Sequence, residues 1–146
     1  MGQNSDQVDE LFAVGEEFAG AERYADAYSS FQAAWDALPE PKDDQEFAIQ
    51  ILAAIADCHF YLRAWKQCCD AVQHAFRCGA DVGNPFFRMR LGQSLYELGK
   101  EREAASWLVP VYLLEGRKPF EASDPKYLEF FRNRLKAPPG GWPDGW

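Results

Sequence analysis

No apolar run in this 146-residue chain is long enough to cross a bilayer. The opening MGQNSDQVDE lacks the basic start and apolar stretch of a signal peptide, so the expectation is a cytoplasmic protein with no membrane partner. MGQNSD does fit a myristoylation pattern, but the acidic residues that follow it give a membrane nothing to hold. Also missing are a glycine-rich phosphate loop, a nucleophile elbow and a paired zinc-ligand motif. The carboxylate pairs Glu16-Glu17 and Asp43-Asp44 read as solvated helix or loop faces. No catalytic residue, no cofactor and no enzyme activity are therefore expected. Histidine is scarce (His59 and His74), and the four cysteines, Cys58, Cys68, Cys69 and Cys78, fall in one 21-residue stretch without a CxxC pair. With no secretion signal, they read as reduced thiols packing as small apolar residues, and no metal site is expected.

What the chain has is apolar mass and unevenly placed charge. Hydrophobic residues make up 47% and aromatics 15%, enough to bury a core, so residues 1–146 are read as one folded domain. Residues 1–50 carry 12 acidic side chains against Arg23 and Lys42, a local net of −10. Residues 51–116 balance, and residues 117–146 carry a net of +2. Nucleic acid would be repelled by the acidic end, whereas a basic protein would be steered toward it. Solubility alone is the other reason for such acids.

The chain also has an internal period. Counting from Gly15, Ala27 lies 12 residues on, Phe31 four further, Ala34 three further and Pro39 five further. From Gly92 the same intervals reach Ala104, Leu108, Val111 and Gly116, and from Ala56 they reach Cys68, Val72, Ala75 and Ala80. Each copy reads as two antiparallel helices. A small residue on each helix allows close backbone approach, a large one fills the space beneath, and a breaker ends the second helix. The sequence LFAVGEEFAGAERYADAYSSFQAAWDALP, with Leu11, Gly15, Phe18, Tyr24, Ala27, Phe31, Ala34 and Pro39, resembles the tetratricopeptide repeat. The other copies are looser, and Arg88 stands where an apolar residue is usual.

The expected fold is all-α: a tetratricopeptide-like helical-hairpin solenoid of three repeats, near residues 8–40, 46–80 and 84–116, plus a C-terminal capping helix. The copies are 41 and 36 residues apart, so PEPKDDQ is an extended first linker. The capping helix is expected over 124–136, with Asp124 as N-cap, Pro125 at its first position and an apolar stripe of Leu128, Phe131 and Leu135. The tail 137–146 cannot be helical; it either folds back or serves as a contact arm.

The family resemblance also implies where a partner sits. The first helix of each hairpin would line a concave face, with positions i, i+3, i+7 and i+10 forming the inner stripe. In the first copy these are Asp9, Phe12, Glu16 and Ala19; in the second, Gln50, Ala53, Asp57 and Phe60, with Tyr61 alongside; in the third, Phe86, Met89, Gln93 and Tyr96. Such a face is acidic and aromatic. It lacks the Lys, Asn and Arg with which related domains hold the carboxylate tails of heat-shock chaperones, so an adaptor of that kind is not expected.

A closer resemblance rests on LPEPK, GNPFFRMRLGQSLYELG and DPKYLEFFRNRL with the later PPGGW. These are similar to stand-alone tetratricopeptide proteins encoded beside Rhs-type polymorphic toxins in bacteria. That resemblance implies an immunity protein that binds and neutralises a cognate, basic toxin domain. Two alternatives stay open: a chaperone for secreted translocator proteins, and a general scaffold adaptor.

Overall fold

The computed structural model describes residues 2–146, with side chains from Ser5 onward. Its described residues form seven α-helices, two short 3₁₀ turns and no strand. They divide into two compact units, Met1–Val82 and Gly83–Trp146. The first unit contains α1 (Gly2–Gly20), α2 (Tyr24–Asp36), a 3₁₀ turn at Lys42–Asp44, α3 (Ala48–Tyr61) and α4 (Trp65–Arg77). The second contains α5 (Pro85–Glu97), α6 (Glu101–Glu115), a 3₁₀ turn at Lys118–Phe120 and α7 (Lys126–Arg132). Helices α1 and α2, α3 and α4, and α5 and α6 pair as hairpins, and α2 also packs on α3.

The three hairpin turns share one chemistry. Glu22, Arg63 and Gly99 have φ of 59°, 60° and 80°, and each lies seven residues beyond its copy's first small residue. Beside them, the N–H groups of Arg23, Ala64 and Lys100 donate to the carbonyls of Phe18, His59 and Leu95 at 2.8, 2.8 and 2.9 Å. This left-handed closure satisfies carbonyls that the first helix would otherwise leave open.

The small-residue slots are tight. A Cβ at Gly15 would stand 2.5 Å from the Phe31 ring, and one at Gly92 would stand 2.4 Å from Leu108 Cγ. Ala27, Ala34, Ala56, Cys68, Val72, Ala75, Ala104 and Leu108 are all fully buried. The repeat spacing thus records helix–helix contact. The linker between α2 and α3 is equally fixed, because Lys42 Nζ donates to the carbonyls of Leu38, Asp36 and Trp35 at 2.7, 3.0 and 3.3 Å. Its charge sits at the C-terminal end of α2, where a cation is favoured.

In the second unit the Asn84 side chain accepts from the Phe86 N–H at 2.8 Å, and Pro85 opens α5. Arg88, the polar departure from the repeat pattern, has a structural cause in Pro110, which lies inside α6. Proline has no N–H to give the carbonyl four residues back, that of Ser106. Arg88 supplies the missing donor: its guanidinium bonds the Ser106 and Trp107 carbonyls, both at 3.1 Å, and lies 4.7 Å over the Trp107 ring. The terminal segment closes this unit. Leu128 and Phe131 join Met89, Leu108, Val111, Tyr112 and Phe120 in one buried cluster, with Leu135, Trp142 and Trp146 packed against it. The helix there is shorter than the expected 124–136, running only Lys126–Arg132, and Asp124 accepts from the Lys126 N–H at 3.0 Å. The tail folds back: Arg117 donates from its backbone to Gly145 and from Nε to the Trp146 carbonyl, each at 3.0 Å.

Candidate functional site

In the first unit the stripes of α1 and α3 converge on two cavities. One, of about 240 Å³, is lined by Phe12, Glu16 and Ala19 from α1, Tyr24 and Phe31 from α2, and Ala54, Asp57 and Cys58 from α3. The other, of about 670 Å³, lies between Val8 and Asp9 of α1, Leu38, Glu46 and Phe47 of the linker, and Gln50 of α3. Of the residues expected to bind a partner, Phe12, Glu16 and Asp57 therefore meet at one cavity, and Asp9 and Gln50 at the other. Each cavity pairs carboxylates with aromatic wall.

Aromatic side chains gather next to the smaller cavity. Tyr24 stacks on Tyr61 with centroids 4.6 Å apart, Phe60 lies 5.4 Å from both Tyr61 and Trp65, and the Arg63 guanidinium stands 5.5 Å over Trp65. Tyr61 is exposed and Phe60 half-buried. Desolvation raises the Tyr24 phenol above its usual range, with Tyr61, Glu22 and Asp57 adding to the effect. Burial, with Asp57 nearby, pushes the Cys58 thiol up to about 12, so it lines the cavity as an inert apolar wall. An apolar side chain ending in a cation suits such a surface: aromatic floor, anionic rim.

Three expected surface residues are not at the surface. Phe12 is 8% exposed, its ring 5.0 Å from those of Phe31 and Phe47, so it forms cavity floor rather than a projecting anchor. Met89 belongs to the buried cluster of the second unit. Gln93 is fully buried, accepting from Arg90 at 2.9 Å and donating to Ser123 Oγ at 2.8 Å. Tyr96 is half-buried and packs on Phe130 at 4.6 Å and Tyr127 at 5.8 Å. The physical reason is the same for all three α5 positions. The segment after α6 returns to α5, where Tyr127 donates to Glu97 at 2.7 Å and Lys126 pairs with it at 2.8 Å. Phe86 alone of the α5 stripe stays open, at 37% exposure, with Arg90 at 5.8 Å from its ring.

Sequence spacing missed one constellation. Asp43, His74 and Cys78 present ligand-type atoms within 4.8 Å of one another. Asp43 Oδ1 is 2.7 Å from His74 Nε2, and that bond first, then charge and a bond from Cys78, lowers the Asp43 carboxyl below its usual range. The Cys78 thiol is raised, by desolvation first and then by Asp43. Asp43 lies in the linker, 31 residues before His74, and no periodicity joins them.

No protein-family model and no curated protein matches the chain. Among solved structures, the fold is similar to that of the type III secretion translocator chaperone SycD of Yersinia enterocolitica, crystallised as an alternative dimer. The TM-score is 0.59, the likeness covers 88% of this chain and 86% of that one, and 16% of residues are identical. At that identity the likeness is one of fold. It defines the class: an all-helical, tetratricopeptide-like hairpin protein. No helix among the described residues is long and apolar enough to cross a membrane.

Proposed function

We propose that this chain is a protein-binding module whose first unit grips a short basic and apolar segment of a partner, as a chaperone for a secreted translocator protein would. The observation that carries the reading is the smaller cavity, where Glu16 and Asp57 stand over a floor of Phe12, Phe31 and Tyr24. A Lys or Arg stem fits such a floor while its head meets the carboxylates. The fold likeness to a translocator chaperone supports this reading over a general adaptor. The immunity reading rests on the sequence resemblance and on the acid-rich first 50 residues, which suit a basic toxin domain.

The test begins with the product of the adjacent gene, tiled as peptides and also produced whole. The chaperone reading expects one linear segment to bind and the whole partner to aggregate without this chain. Binding only to a folded domain, with rescue of growth on co-expression, is the immunity outcome. In either case Glu16→Lys should slow association and flatten its salt dependence, Phe60→Ala should speed dissociation, and Ala54→Leu should obstruct the cavity. Affinity unchanged in all three variants would remove this face from consideration.

A further inference from the structure

Separate from both cavities, the first unit gathers three side chains of differing chemistry. His74 and Cys78 are four residues apart at the end of α4, Cys78 still in helical conformation, so both project from one face. Asp43 reaches them from the linker because the turn that carries it is pinned, its neighbour Lys42 bonding three carbonyls at the end of α2. Trp35 stands edge-on to the imidazole at 5.1 Å and restricts its rotation. The three residues together offer an oxygen, a nitrogen and a sulfur within 4.8 Å of one another.

The order of contacts excludes a thiol nucleophile. Such a nucleophile needs the imidazole against the sulfur and the carboxylate behind the imidazole. Here the carboxylate stands against the imidazole, Asp43 Oδ1 at 2.7 Å from His74 Nε2, with the Cys78 sulfur within 4.8 Å of both. Three ligand-type atoms of these kinds so close together instead suit a metal site.

We infer that Asp43, His74 and Cys78 form a binding site for a divalent cation of the zinc kind, with its fourth position left to water. Thiolate and imidazole ligands disfavour Mg²⁺ and Ca²⁺, which take oxygen shells, and favour Zn²⁺ or Co²⁺. Zinc bond lengths of about 2.0–2.3 Å put tetrahedral donor atoms roughly 3.3–3.7 Å apart. The Asp43–His74 pair must open slightly and the sulfur close in, movements available to side chains that are exposed or half-buried. Neither His-Cys spacing nor the acidic pair alone reveals this; the linker brings the third ligand.

The full-length, reduced chain is titrated with Zn²⁺ under equilibrium dialysis and, separately, with Co²⁺ under absorption spectroscopy. One Zn²⁺ per chain is expected, and Co²⁺ should give tetrahedral visible bands with a sulfur-to-cobalt charge-transfer band. Asp43→Asn and Cys78→Ser should each weaken Zn²⁺ binding by more than the roughly 10- to 100-fold typical of losing an outer-shell partner. Cys78→Ser should also abolish the charge-transfer band. Asp43 is exposed, so its variant keeps the fold, which circular dichroism verifies. Absence of Zn²⁺ binding, or binding equal in parent, Asp43→Asn and Cys78→Ser, overturns the inference and leaves a hydrogen-bonded clasp.

Discussion

Arg88 and Pro110 show how one residue type explains another. Arg88→Leu leaves the Ser106 carbonyl with neither a helical donor nor the guanidinium. That carbonyl is exposed and can turn to water, so the loss is that of one net hydrogen bond, about 0.5–1.5 kcal/mol. In a Pro110→Ala background the helix supplies its own N–H, so urea unfolding should register a smaller loss for Arg88→Leu. Equal losses in the two backgrounds would mean that Arg88 acts through Trp107 instead. The hairpin turns give a second residue-scale prediction. Glu22 holds a left-handed conformation that the third copy assigns to Gly99. Glu22→Gly should stabilise the chain by up to about 1 kcal/mol, part of the relief being offset by a freer unfolded chain. A lower melting temperature for this variant would contradict the strain argument.

Between elements, the contact that matters is the one the repeat spacing encodes. Gly92→Ala drives a Cβ into Leu108, and overpacking of this kind costs about 1–3 kcal/mol. Gly92→Ala/Leu108→Ala removes the clashing carbons, so the double variant should lose less than the sum of the two single losses; strict additivity would place the strain elsewhere. At the other side of the same unit, Phe131→Ala removes a ring buried among Met89, Tyr112 and Phe120, with an expected cost of about 3–5 kcal/mol by chemical denaturation. A melting temperature equal to the parent's would deny α7 its capping role. The hairpins, their turns and the apolar stripe of α7 were legible because small residues, breakers and caps act locally. The partner of each face was not. Periodicity marks Met89, Gln93 and Tyr96 as one stripe, but only the returning chain decides that Tyr127 and Phe130 cover it. Phe12 shows the same limit, since its burial depends on Phe47, from a linker without period.

For the molecule as a whole, charge placement sets the outward behaviour. The formal net charge is −8, and the first 50 residues carry a local −10. Like charges so concentrated repel one another, and salt screens them over about 8–10 Å near physiological strength. The melting temperature should therefore rise as NaCl is added from very low ionic strength, before levelling off. A fall over that range would mean that attractive pairs such as Arg23–Asp26 and Lys66–Asp70 outweigh the repulsion. The larger-scale site was only partly readable. Asp9 with Gln50, and Phe12 with Glu16 and Asp57, share cavities as their stripe positions suggest. The Asp43 cluster had no sequence signal, because its assembly depends on a lysine closing a helix end rather than on any interval.

The placement of Trp35 against His74 also has an optical consequence. Of the five tryptophans, Trp35 is the one with its ring edge-on to this imidazole, at 5.1 Å. Any change in the charge or tilt of that ring alters the field at the indole and so the colour and intensity of its emission. The molecule thus carries a native fluorophore beside its candidate cation site. Comparing the emission of the parent with that of Trp35→Phe isolates the signal, so occupancy can be followed in real time without a label.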